Sequence, residues 1–147
     1  MGRQIATGAQ WVGAKARVSS ISGACPACGL GPGSSLFYDD AHGRKVSGRH
    51  SVEPTAFFIH SRIHTAIDDA VCVMHTHMPH ATALAVLEQG RLLWASQTAL
   101  RFHGRVAYEE AYNGLALDAA EGSRLAGKLA AADVLFLANH GVIVRGA

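Results

Sequence analysis

A layered fold of the α/β or α+β type is predicted by three features of the sequence. Helical and strand-like segments alternate from about residue 52 onward. Two short apolar runs, Val71-Cys72-Val73-Met74 and Val134-Leu135-Phe136-Leu137-Ala138, read as buried strands. The chain's 147 residues suit one domain with a substantial core.

Glu53-Pro54 opens the first predicted helix, because proline is tolerated at the first helical position. Ala56, Ile59, His60, Ile63 and Ile67 then share one helical face. The strand from Val71 closes on His75-Thr76-His77. Pro79 opens a second helix, whose Ala81, Leu84, Ala85 and Leu87 supply apolar contacts. Leu92-Leu93-Trp94 and the run from Gly104 to Tyr108 read as strands. Asp118 with Glu121 three residues later resembles a capping box, and the helix behind it buries Leu125, Ala126 and Leu129. The strand from Val134 leads into Asn139-His140-Gly141, where Gly141 is expected to let the chain turn without a Cβ, and then a short Val142-Ile143-Val144. Cys72, inside a strand, is expected to be an inert core residue.

The opening stretch reads differently. Residues 1–50 carry six basic and two acidic residues, against seven and nine in the remainder. Nine of the 16 glycines fall there, and Gly23-Ala24-Cys25-Pro26-Ala27-Cys28-Gly29-Leu30-Gly31-Pro32-Gly33 favours turns over regular structure. No long helical or alternating pattern occurs, so residues 1–44 are expected to be an irregular Gly/Pro-rich segment. Cys25 and Cys28 lack a second Cys-x-x-Cys or a suitably spaced histidine pair for zinc, and the glycines and prolines around them spoil a thioredoxin-like context. The glycine spacing is not that of a phosphate-binding loop.

Composition narrows the function. A net charge of +2 is too weak to argue for nucleic acid or a membrane surface. No apolar run approaches the ~18–20 residues that span a bilayer, and the first residues lack the apolar core of a secretory signal. Three cysteines fit a reducing cytoplasm better than a disulfide framework. Nine histidines are the distinctive feature. On a strand, His75 and His77 project to the same face, with Thr76 pointing away. His140 follows a second buried strand. Together they offer three nitrogens to a divalent ion, the ligand number of a catalytic site with an open position, provided the two strands lie side by side. The alternative is three ordinary half-buried histidines at strand ends. His60 and His64 share a helical face, but Ser61 replaces the glutamate that a zinc-protease motif requires, so His60 is expected to pack or hydrogen-bond beneath the sheet.

The runs Phe57-Phe58-Ile59-His60-Ser61-Arg62-Ile63-His64, Val73-Met74-His75-Thr76-His77 and Leu137-Ala138-Asn139-His140-Gly141-Val142 resemble the class II aldolase/adducin family over residues 45–147. The resemblance implies a three-layer α/β/α sandwich around a largely antiparallel sheet. It implies a catalytic divalent ion, usually zinc, on His75, His77 and His140, and a homo-oligomer with active sites at subunit contacts. The expected function is a metal-dependent lyase cleaving a C–C bond next to a carbonyl or carboxylate of a small molecule, aldolase-like or decarboxylase-like. The alternative is a noncatalytic adducin-like interaction domain.

Three departures qualify what the resemblance implies. Ala56 stands where the sugar-phosphate aldolases carry an acid/base glutamate, which leaves Glu53, His103 and Tyr108 as candidates for that role. Residues 1–40 do not match the family's opening helix and glycine-rich phosphate-binding segment. The sequence stops seven residues after His140, so the domain is expected to be incomplete at its C-terminal side.

Overall fold

A computed structural model describes residues 54–70 and 72–146 in full, together with the backbone of four earlier strands. These strands are β1 (Thr7–Trp11), β2 (Val18–Ser22), β3 (Ser35–Asp39) and β4 (Arg44–Ser47). There follow α1 (Pro54–Ala66), β5 (Cys72–Thr76), α2 (Pro79–Ala85), α3 (Gln97–Leu100), β6 (Val106–Glu109), α4 (Ala119–Leu129), β7 (Val134–Leu137) and β8 (Gly141–Gly146). The strands form one sheet in the order β4-β3-β2-β1-β5-β8-β7-β6. Neighbours are antiparallel except β6 and β7, which are parallel.

The expectation of an irregular opening segment is overturned. Three strands lie within residues 1–44, and β1 sits inside the sheet, pairing Thr7 with His75 and Ala9 with Val73. Strand pairing satisfies backbone groups, which every residue carries, so it leaves no apolar period to read in strands of five residues. Glu53, Cys25 and Cys28 lie outside the described residues.

Helices cover both faces of the β5–β8 half of the sheet. On one side, α1 and α4 press Ile59, Ile63, Leu125, Ala126 and Leu129 against Val73, Leu135, Leu137 and Ile143. The two helices meet at Gly122, where an added Cβ would stand 2.2 Å from the carbonyl oxygen of Phe58. On the other side, Ala81, Leu84 and Ala85 of α2 pack on Val134, Phe136 and Val142. Period-two alternation along β7 and β8 thus feeds two cores, giving three layers. Asp118 caps α4 by accepting a 3.0 Å hydrogen bond from the Glu121 amide.

Two strand readings change. Residues 92–94 form no strand, and Leu93 is exposed. Cys72 is exposed rather than buried, because β5 alternates and gives its inward positions to Val73 and His75. The short helix α3, capped by Ser96, which accepts from the Ala99 amide at 3.1 Å, has no apolar period to announce it. No helix among the described residues is long and apolar enough to cross a membrane.

Candidate metal centre

β5, β7 and β8 bring three histidines to one end of the sheet. His75 lies opposite Ile143 and shares the α1 face with the fully buried Val73. His77 comes just past the end of β5. β7 and β8 form a hairpin in which Leu137 pairs with Gly141, and the three-residue loop between them carries His140. The strand register therefore supplies the adjacency that sequence spacing alone leaves open.

The ring centroids form a nearly equilateral triangle: 4.8 Å from His75 to His77, 4.8 Å from His75 to His140 and 4.7 Å from His77 to His140. One nitrogen from each ring can be chosen so that all lie within 4.8 Å of one another. His75 Nδ1 donates to the Val142 carbonyl at 3.2 Å, so Nε2 carries the lone pair and faces His77 Nε2 at 3.1 Å. Two nitrogens bound tetrahedrally at about 2.0–2.1 Å stand about 3.3 Å apart, so the spacing of this pair is close to that of two ligands on one small divalent ion. A backbone carbonyl behind a ligand histidine is the usual device for fixing its tautomer.

The electrostatics favour neutral rings at His75 and His140. His75 is held far below the ordinary histidine pKa of 6.5, at about 3, by burial first and then by His140 and His77. His140 is lowered by burial and by His77. A neutral imidazole is the form that ligates metal. His75 and His140 are partly buried, and His77 is exposed.

The sequence profile of the class II aldolase and adducin N-terminal domain matches residues 30–147. The chain belongs to this family. The match begins ahead of residue 45, where the motif resemblance starts. A Pseudomonas aeruginosa relative, provisionally named a class 2 aldolase protein, is 38% identical over 114 residues, covering 77% of this chain and 43% of the relative. A decarboxylase of Streptomyces niveus is 29% identical over 115 residues, covering 78% of this chain and 42% of the decarboxylase. The crystal structure of an aldolase II superfamily protein from Pseudomonas syringae superposes with a TM-score of 0.82 at 31% identity, covering 96% of this chain and 57% of that one. The chain thus spans about half the length of these family members.

Other sequence-selected residues of this class II aldolase/adducin chain sit elsewhere. Ala56 is buried on α1. His60 is buried in the interior with neither ring nitrogen hydrogen-bonded among the described residues, so it packs rather than bonds. Burial, with His75 and His64 nearby, holds its pKa at about 3. His64 Nδ1 donates to the Ala70 carbonyl at 2.7 Å. His103 lies in an exposed turn with its ring 5.2 Å from that of Trp94. Tyr108 packs on the α2 face, opposite to that of His75, stacked on Phe136 and beneath the Arg91 guanidinium, and its hydroxyl accepts from the Leu92 amide at 2.9 Å.

Sequence reasoning passed over Glu109, a buried carboxylate at the end of β6. It pairs with Arg124 and accepts from the Ala111 amide at 2.9 Å. Those partners make it a clamp between β6 and α4. It also passed over the Val142 carbonyl, since backbone atoms leave no trace in residue type.

The missing Cβ of Gly141 matters as expected, while the left-handed conformation falls on another residue of the turn. The residue in the left-handed region is Asn139, at φ 57°. Gly141 is needed for close approach, since a Cβ there would stand 2.5 Å from the Thr76 oxygen and 2.7 Å from His77 Cδ2.

Proposed function

We propose that this chain is the metal-binding part of a lyase that cleaves a C–C bond next to a carbonyl or carboxylate of a small molecule, with decarboxylation favoured over aldol cleavage. The observation that carries the reading is the convergence of three imidazoles at one sheet end, with His75 already oriented by the Val142 carbonyl. His75, His77 and His140 would hold a zinc or other divalent ion. Such an ion supplies Lewis acidity, which stabilises the electron pair left when the bond breaks. The imidazoles bring no charge of their own, so the ion's positive charge stays undiminished at the substrate.

Ala56 tips the reading away from aldol chemistry. Its methyl group can neither accept nor deliver a proton, and a positioned acid/base is typically worth ~10²–10⁴-fold in rate. Tyr108 and His103 have the contacts described above, and neither of those contacts involves the three histidines. The relationship to a decarboxylase supports the same preference. A cytoplasmic, homo-oligomeric enzyme is part of this proposal, in keeping with three cysteines and the family resemblance.

The second reading is a noncatalytic adducin-like interaction domain, favoured by the same Ala56. Metal analysis of the purified protein separates the two. About one divalent ion per chain, lost in His77→Ala, is the expected result, and a metal-free protein that stays metal-free after incubation with zinc supports the interaction domain. With metal bound, release of CO2 from small oxo acids is expected, with little cleavage of fuculose- or rhamnulose-type phosphates. Robust sugar-phosphate cleavage abolished by His77→Ala would return the chain to the aldolases.

A further inference from the structure

The two neighbours of His140 carry unusual backbone requirements. Asn139 is the one non-glycine residue with positive φ among the described residues. Gly141 tolerates no Cβ, because the atoms it would strike are a backbone oxygen and the ring of His77. Each amide of the loop between β7 and β8 is also committed. Ala138 donates to Glu109 O at 2.9 Å, Asn139 to Ala85 O at 3.0 Å and His140 to Leu137 O at 3.1 Å.

We propose that Asn139 and Gly141 are positioning residues for the histidine cluster. Asn139 holds the left-handed turn that aims the His140 ring at His75 and His77, and Gly141 lets β8 close against the end of β5. This inference rests on the metal reading above. A three-residue hairpin loop needs one residue in the left-handed region. Asparagine reaches it readily, whereas alanine and above all a β-branched residue do not. A chain that leaves this conformation swings His140 off the axis shared with the other two rings. The external bonds to Ala85 and Glu109 fix the loop to α2 and β6, so the turn cannot shift as a unit. At Gly141 a methyl group can be accommodated only by parting β8 from β5, which separates His140 from His77.

The test uses Co²⁺ as the probe, titrated into the intact chain and into Asn139→Gly, Asn139→Ala, Asn139→Val and Gly141→Ala. The visible Co²⁺ spectrum reports ligand geometry, which a loss of general stability does not move. Asn139→Gly should bind within about twofold of the parent with the same spectrum, because glycine keeps the left-handed turn. Asn139→Ala should bind ~10-fold more weakly, and Asn139→Val more weakly still, with altered spectra. Gly141→Ala should show at least the Asn139→Ala loss. Should it fail to fold, the Asn139 series decides alone. Unchanged affinity and spectrum in Asn139→Ala and Asn139→Val, with only the melting temperature lowered, would overturn the proposal. A parent chain that binds no Co²⁺ would sink the metal reading instead. Positioning would then be judged by nuclear Overhauser contacts between the His75 and His140 rings. Their loss in Asn139→Val and retention in Asn139→Gly would support it, and their retention in both would refute it.

Discussion

The two ends of the β5–β8 ladder are built from the same strands and carry opposite chemistry. At the β8 entry end stand His75, His77 and His140, with no carboxylate among them. At the exit end each guanidinium nitrogen of Arg145 has a partner: it bonds Asp69 at 2.6 Å and the Ala132 carbonyl at 2.8 Å, and lies 3.5 Å from Asp133. Arg105 joins through Asp133. Every charge named at the exit end has a partner, which marks a device that ties the turn after α1 to the β7 approach. At the entry end three imidazoles crowd together with no counter-charge among them, an arrangement that gains little in folding and much in binding a cation. The lesson is that polar groups paired with opposite charges hold a fold, whereas imidazoles gathered without a counter-charge suit a cation.

Removing a ligand should break this contrast most strongly. His77→Ala is expected to weaken zinc or cobalt affinity by more than the ~100-fold seen when a partner behind a metal ligand is lost. The melting temperature of the metal-free chain should barely change, because His77 is exposed. Calorimetric titration and a thermal melt check the two halves. A large destabilisation without loss of metal would reassign the cluster to structure.

Acid should sharpen the contrast next. His60 and His75 have folded pKa values of about 3 against 6.5 when unfolded. Below 6.5 the unfolded chain takes up protons that the folded chain refuses, so stability is fully present above pH 6.5 and is lost as pH falls toward about 3. Each group adds a slope of up to ~1.4 kcal/mol per pH unit in that window. Urea unfolding of the metal-free chain between pH 7 and 4 reads it. His60→Leu should flatten the dependence, since it removes a buried imidazole that has no hydrogen bond among the described residues. An equally steep profile in that variant would mean that other groups carry the acid sensitivity.

The smallest effect belongs to the ionic end. Arg145→Met should cost roughly 1–3 kcal/mol, the range for losing hydrogen bonds of a charged group, and leave metal affinity unaltered. Denaturant midpoints and a Co²⁺ titration test both parts. Asp69→Asn should matter less, because that carboxylate is exposed and solvent screens it. A change in metal affinity in either variant would show that the two ends communicate.

Residue type and spacing determined much of this protein in advance. Pro54 and Pro79 sit at the starts of α1 and α2, Asp118 at the cap of α4, and the apolar run from Val134 is β7. These features are local, and local preferences are written in the residues that express them. The side-by-side placement of His75 and His77 was also legible, since His-x-His on a strand puts two rings on one face. The tertiary structure decided what depends on partners distant in sequence. β1 is an interior strand because Val73 and its neighbours supply hydrogen-bonding partners that residues 7–11 do not advertise. His140 reaches His75 because β8 pairs with both β5 and β7. Asn139 rather than Gly141 makes the turn, and Gly141 is glycine because another strand passes within 2.5 Å of where its Cβ would stand. Register, close approach and backbone bonding arise between segments, so a single line of residues cannot state them.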